Sequence, residues 1–307
     1  MRRVPLPGTD EALPVVGQGT WSFGARGSDR GAQAEALRLG IGLGMTLIDT
    51  AEYYAAGGAE EVVGEAVADC RADVFLVTKV WPAHASPAET RRAVRASLRR
   101  LRTAAVDAVL VHWPPRPALL PGMLSALAEL QADGCVRHVG VSNFDAAWLA
   151  AAEAAAPPGL RLAFDQVPYA LPRRGVEAAV LPRLRASGRL LLAYSPLGHG
   201  HVRRWAGHPA LAAVARARNL TPAQVALAFL CAEPGVVAIP KAGSPEHVRA
   251  NAAAGDVRLS EAEIARLRAA FPRRGPATLP VIPPATALFR AVLWLEAATH
   301  GPRRRPG

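Results

Sequence analysis

Polar residues of a particular kind close the short apolar runs of this chain. Asp49 ends MTLID, Lys79 follows DVFLVT, His112 follows VDAVLV, and Ser142 with Asn143 follows RHVGV. Further on, Gln166 ends LAFDQ, Tyr194 and Ser195 follow RLLLA, and Lys241 comes just after VVAI. Groups of this type are costly at a buried strand end unless a partner satisfies them. A carboxylate, an ammonium and an imidazole, with the phenols of Tyr53 and Tyr54 close behind Asp49, are the groups that pair charge and pass protons. Taken singly, each has a blander reading: an Asp–Lys pair is more often structural, and a His beside Trp113 more often packed. Spacing alone leaves Tyr53 and Tyr54 in competition. The basic residues narrow the field. Of 36 Lys plus Arg, only Lys79 and Lys241 are Lys, and both lie on these polar strand ends.

The elements that must position these groups are legible as a repeat. Apolar runs at 15–21, 45–49, 73–78, 106–111, 137–141, 162–166, 189–193 and 236–239 have the length and aliphatic content of strands buried on both faces. Between them, helical patterns occupy 31–43, 59–69, 86–101, 120–133, 145–155, 176–187 and 244–254. Ser86-Pro87 and Ser244-Pro245 each place a cap before a first-turn proline, followed by Glu89 and His247. Eight such units over residues 1–271 predict an α/β fold, a single (β/α)8 TIM barrel. A doubly wound sheet would want a G-x-G-x-x-G turn after its first strand, and none stands there. Catalytic residues of such barrels gather at the C-terminal strand ends, where the polar residues above are found.

Composition sets the remaining bounds. Half the residues are hydrophobic and 20% charged, which excludes general disorder. No apolar run reaches the roughly 18 residues of a membrane span, and MRRVPLPGTDEALP lacks the apolar core of a secretory signal, so a cytoplasmic location is expected. Cys70, Cys135 and Cys231 are far apart and odd in number, which suggests neither a disulfide framework nor a metal site. The net charge of +11 is not patterned for nucleic acid. Residues 272–307 hold six Arg and one Glu, and elsewhere Arg is spread over helical segments such as 91–102 without a stripe of stacking aromatics.

Seven stretches in order, IDTAEYYAAGGAEEVVGEA (48–66), VTKVW (77–81), LVHWP (110–114), VGVSNF (139–144), DQVPYAL (165–171), AYSPLG (193–198) and IPKAGSPEHVRAN (239–251), resemble the aldo-keto reductase superfamily. The resemblance implies a cytoplasmic NAD(P)H-dependent oxidoreductase that reduces aldehydes or ketones to alcohols. It makes Tyr54 the proton donor, Lys79 the ammonium that acidifies the phenol, Asp49 the partner of Lys79, and His112 the group that orients the carbonyl oxygen. It assigns Ser142, Asn143 and Gln166 to the nicotinamide carboxamide, Tyr194 to stacking on the ring, Ser195 and Leu197 to the pyrophosphate side, and Lys241, His247 and Asn251 to the adenosine end. Trp21, Trp81 and Trp113 match aromatic walls of the substrate pocket.

The pattern departs from the family at one place. NADP-preferring members usually carry Arg six residues after the lysine, where this chain has His247, and Ala242 stands where Ser or Thr is common. NADPH is the expected cofactor, with NADH use open. Residues 272–307 form a Pro- and Arg-rich extension that matches no family pattern; 285–299 reads as one apolar helix suited to covering the barrel mouth. The expected partner is a small carbonyl compound rather than nucleic acid or membrane, acting on a monomer, with a dimer through the tail as the alternative. Two other functions share the pattern: a nicotinamide-binding regulatory subunit with little turnover, and a sugar or alcohol dehydrogenase running in the oxidative direction.

Overall fold

The computed structural model describes residues 1–198 and 202–273. A hairpin, β1 (Arg3–Pro5) with β2 (Ala12–Pro14), precedes eight parallel strands. These are β3 (Gln18–Gly19), β4 (Leu47–Asp49), β5 (Phe75–Val80), β6 (Val106–Val111), β7 (Val136–Ser142), β8 (Leu162–Pro168), β9 (Leu190–Tyr194) and β10 (Val236–Ile239). Neighbours in sequence are neighbours in space from β3 to β10. A parallel bridge between Val16 and Ala238 closes the ring, with the Gly17 amide donating to the Ala238 carbonyl at 2.8 Å. This is the (β/α)8 barrel expected from the repeat.

The helices are α1 (Arg30–Gly42), α2 (Gly58–Ala66), α3 (Pro87–Arg100), α4 (Leu120–Ala132), α5 (Ala146–Ala155), α6 (Val180–Ala186), α7 (Arg203–Ala206), α8 (Pro209–Ala217), α9 (Pro222–Cys231), α10 (Pro245–Ala254) and α11 (Glu261–Ala270). Ser86 caps α3 by accepting from the Glu89 amide, and Ser244 caps α10 by accepting from the His247 amide, both at 3.4 Å. The hairpin and helices α7, α8, α9 and α11 go beyond the elements read from periodicity. The expected strand at 15–21 is divided: residues 15–17 bond to β10, and only Gln18–Gly19 pair with β4. The predicted C-terminal helix at 285–299 lies outside the described residues. Among those described, no helix is long and apolar enough to cross a membrane.

Period-two alternation sorts each strand between two cores. Leu47, Phe75, Val77, Ala108, Leu110, Phe164, Leu190, Leu192, Val237 and Ile239 fill the barrel, joined from below by Leu6 and Leu13 of the hairpin region. Ile48, Leu76, Val109, Val111, Val139, Val141 and Leu191 face outward under the helices. Continuing the inward set by two residues on each strand leads to the mouth. Leu47 leads to Asp49, Val77 to Lys79, Leu110 to His112, Phe164 to Gln166, Leu192 to Tyr194 and Ile239 to Lys241. Asp49, Lys79, His112 and Gln166 are therefore the last buried layer of the barrel interior, with Tyr194 half-exposed and Lys241 exposed at the rim.

Candidate active site

Lys79 is the centre of the mouth and is fully buried (0% exposed). Its Nζ lies 2.7 Å from Asp49 Oδ1 and donates to Asp49 Oδ2 at 2.8 Å, to the Thr50 carbonyl at 2.7 Å and to Tyr54 Oη at 3.2 Å. Asp49 also accepts from Gln166 Nε2 at 2.6 Å, which links the β4 end to β8 across the barrel. Burial acts on both charges in opposite directions, raising the Asp49 pKa and lowering that of Lys79, while their mutual attraction opposes each shift. With an acceptor on every side, the ammonium is the form this geometry supports.

The two tyrosines have different surroundings. Tyr54 brings its hydroxyl to Lys79. Tyr53 instead stacks on Trp81, with ring centroids 4.3 Å apart and planes 20° from parallel. Burial first, and then the Asp49 charge, pushes the Tyr54 pKa above the ordinary tyrosine value, so the phenol carries its proton beside the Lys79 ammonium. His112 lies 5.8 Å from Tyr54 between ring centroids. Burial and the Lys79 charge depress its pKa well below the usual histidine value, which makes it a neutral imidazole. Its Nδ1 is buried without a hydrogen-bond partner.

Aromatic groups wall this cluster. Trp21, 40% exposed, meets Tyr54 edge to face at 4.9 Å and 87°. Trp81 stands edge-on to His112 at 5.3 Å. Glu52 holds the Trp81 backbone by accepting its amide at 2.7 Å and also faces His84 Nδ1 at 2.9 Å. Trp113 is half-buried beside His112.

The remaining predicted residues extend from the cluster toward α10. Ser142 Oγ donates to the Gln166 carbonyl at 2.8 Å, and Asn143 Nδ2 donates to the His112 carbonyl and to Ser142 Oγ, both at 3.0 Å. Asn143 has a left-handed backbone (φ 63°), a conformation Asn tolerates better than most residues. Its Oδ1 accepts from Tyr194 Oη at 2.9 Å, which fixes the half-exposed Tyr194 ring over the β9 end. Ser195 and Leu197 follow, half-exposed. Lys241 is exposed with its Nζ 5.5 Å from the Phe23 ring centre; His247 is exposed in the first turn of α10 and Asn251 is buried farther along it.

Three groups in the site escape the sequence reading: Thr50 through its carbonyl, Glu52 through the Trp81 amide, and Thr20, whose Oγ1 donates to the Asp49 carbonyl at 2.9 Å. Backbone acceptors leave no trace in residue type. Glu52, however, is an acidic residue between Asp49 and Tyr54, which is a usable signal.

Comparisons with known proteins identify the family. The model of the Aldo/keto reductase family matches residues 15–271. Methylglyoxal reductase YeaE of Escherichia coli (strain K12) is 44% identical over 270 residues, covering 86% of this chain and 93% of that protein. A solved aldo-keto reductase from Klebsiella pneumoniae in complex with NADPH superposes with a TM-score of 0.85 at 41% identity, covering 92% of this chain and all of that one. Another from Klebsiella pneumoniae, in complex with NADP and acetate, gives a TM-score of 0.83 at 42% identity over 88% of this chain and 96% of the other. A family model matched over residues 15–271, with relatives above 40% identity along nearly their whole length, places this chain in the aldo/keto reductase family.

Proposed function

We propose that this protein reduces small aldehydes and ketones to alcohols with NADPH, using Tyr54 as the proton donor. The observation that carries the reading is the phenol of Tyr54 held 3.2 Å from a buried Lys79 and beside a neutral His112 at the C-terminal ends of the barrel strands. The mouth suits an extended dinucleotide. Amide and hydroxyl groups at the ends of β7 and β8 lie nearest the reacting cluster, a flat half-exposed ring follows at Tyr194, and Lys241 with the Ser244-capped start of α10 offers positive potential at the far side. In this reading Ser142, Asn143 and Gln166 hold the carboxamide, Tyr194 packs on the nicotinamide, and Ser195 and Leu197 flank the pyrophosphate. Lys241, His247 and Asn251 hold the adenosine end. The NADP and NADPH complexes of the relatives support that cofactor, and Lys241 is the cation best placed for a 2′-phosphate in place of the family's arginine.

When bound, the reduced nicotinamide supplies the hydride for the carbonyl carbon. His112 holds the carbonyl oxygen with an N–H, since its imidazole is neutral and retains one donor. Tyr54 passes its proton to that oxygen as negative charge develops there, and Lys79 stabilises the phenolate left behind. Asp49 keeps Lys79 in place and charged. Trp21 and Trp81 exclude water and offer an apolar wall, which suits small carbonyl compounds of varied shape. Methylglyoxal, the substrate named for the Escherichia coli relative, belongs in the first panel.

The test is NADPH oxidation with a panel of aldehydes and ketones, run in parallel with NADH. Tyr54→Phe should lower kcat by about 10²- to 10⁴-fold, the usual contribution of a positioned acid, while cofactor binding measured by fluorescence stays intact. Retained turnover in that variant overturns the mechanism, and cofactor binding without turnover on any carbonyl favours a regulatory subunit. A clear preference for NADH refutes the cofactor assignment.

A further inference from the structure

A second carboxylate stands behind Lys79, on the other side of the barrel wall. Thr78, one residue before Lys79 on β5, points outward by the strand alternation, and its Oγ1 donates to Glu60 Oε1 at 2.5 Å. Glu60 lies in the first turn of α2 and is fully buried (0% exposed). Its Oε2 accepts from Arg100 Nε at 2.6 Å. Arg100, at the end of α3, also donates from Nη2 to Ser97 Oγ at 3.2 Å. The chain Arg100–Glu60–Thr78 thus joins two helices to the strand that carries the catalytic ammonium.

The same carboxylate anchors the segment that carries the phenol. Between Tyr54 and α2 the backbone is left-handed three times in succession, at Ala55 (φ 50°), Ala56 (φ 53°) and Gly57 (φ 93°). Two of these residues are alanines, for which the conformation is strained, and such strain persists only where the surroundings impose it. Arg100 is part of those surroundings: a Cβ at Gly57 would lie 2.6 Å from Arg100 Cδ and Nε. The guanidinium lies against the turn while it grips Glu60.

We propose that Glu60, held by Arg100, is a positioning residue of the active site that sets the Tyr54 turn against the Lys79 strand end and adds negative charge behind the ammonium. This rests on the reading of Tyr54 and Lys79 given above and extends it to a residue that touches neither substrate nor cofactor. The charged and titratable groups around Lys79 are Asp49 on β4, Tyr54 and His112 at the mouth, and Glu60 with Arg100 behind. Arg30 of α1 pairs with the neighbouring Glu61 rather than with Glu60. Among these, Asp49 and Glu60 are the two charges that favour the protonated lysine.

The chain itself offers the readout. It contains two lysines, so protein labelled with ¹³C at lysine Cε gives two side-chain signals, a buried one from Lys79 and an exposed one from Lys241. Glu60→Gln keeps an acceptor for Thr78 and nearly the same shape but removes the charge. In the folded variant the Lys79 titration midpoint should fall by about half a pH unit or more, the direction in which loss of a nearby negative charge moves a lysine. The Lys241 signal should stay fixed. In the same variant kcat for carbonyl reduction should drop about tenfold with KM for the carbonyl little changed, the pattern of a lost transition-state contribution. Coincident Lys79 midpoints, or a kcat unchanged from the parent, overturn the proposal. Should Glu60→Gln fail to fold, Arg100→Met tests the opposite sign: it strips the counter-charge from Glu60, and the Lys79 midpoint should rise. A midpoint that stays or falls in Arg100→Met again overturns it. Turnover surviving Tyr54→Phe would remove the reading of the site while leaving the lysine titration interpretable, so the two failures are distinguishable.

Discussion

At the scale of single residues, the Asp49–Lys79 pair shows why this chain, so rich in Arg, keeps a lysine here. Lys79 Nζ reaches a carboxylate, a carbonyl and a phenol within 3.2 Å in a fully buried space. A planar guanidinium with five fixed donors cannot converge on those three acceptors. Burying an ion pair gives little net stability, because desolvation offsets much of the attraction. Breaking one is costly, because the survivor is left charged and unpaired. Lys79→Met should therefore destabilise the fold by about 3–5 kcal/mol near neutral pH, the usual range for a stranded buried charge. The double variant Asp49→Asn/Lys79→Met should recover most of that loss, since the substituted amide is neutral and keeps an acceptor for Gln166. Neither variant should turn over substrate. Urea denaturation with parallel turnover measurements separates the effects; a double variant as unstable as the single one would show that the pair is retained for stability rather than chemistry.

At the scale of elements, the strand end of β8 carries another buried acid, Asp165. Gln166 points into the barrel, so its neighbour Asp165 points outward into the wall, where neither carboxyl oxygen has a hydrogen-bond partner. Burial pushes its pKa well above the ordinary 3.8; the nearby Asp145 charge adds to the shift and Arg189 opposes it. The folded state thus keeps a proton that the unfolded chain releases near pH 4, and stability contributed by this site declines as pH rises from there toward the raised folded-state value. Asp165→Asn removes the titration at nearly constant shape. Its thermal midpoint should match the parent near pH 4 and exceed it at pH 7–8, by a stability difference of about 1–3 kcal/mol, the cost of an unsatisfied buried polar group. An unchanged difference across that range would show that Asp165 is not buried as a neutral acid. The same alternation explains what could be read from sequence. Inward strand-end residues such as Asp49, Lys79, His112 and Gln166 interrupt an apolar pattern and stand out. Outward ones such as Thr78 and Asp165 face other elements, and spacing along one strand does not reveal what they meet there. Helices α9 and α11 carry Thr221-x-x-Gln224 and Ser260-x-x-Glu263 capping boxes that are visible signals, but α9 is apolar on nearly all sides and shows no helical period. The hairpin is only three residues per strand, too short for alternation to register.

At the scale of the whole molecule, the barrel divides its labour between two ends. The carboxyl ends of the strands hold every group assigned to chemistry, together with buried charges and strained turns. The amino ends hold none of the groups assigned to chemistry and are sealed by the N-terminal hairpin; the buried carboxylates there, Asp107 and Glu233, pair with arginines instead. Leu6 and Leu13 are almost fully buried (1% and 2% exposed) and pack with Leu47, Phe75, Ala163 and Leu190 at the start of the barrel interior. Arg2 secures the segment from outside, donating to the carbonyls of Gly255 at 2.8 Å and Val257 at 3.2 Å, and the terminal amine pairs with Asp256 at 2.8 Å. A plug of this kind should act on stability and not on the reaction. Leu6→Ala and Leu13→Ala should each cost about 2–5 kcal/mol, the range for truncating a buried leucine where the surroundings cannot collapse. Residues on the inner face are stacked in layers, so loosening the lowest layer leaves Asp49, Lys79 and Gln166 bonded to one another above it. Both variants should consequently show lower denaturation midpoints with kcat and KM unchanged at temperatures where they remain folded. A fall in kcat in either one, at full folding, would mean that the lower layer sets the geometry of the mouth and that the two ends of this barrel are not independent.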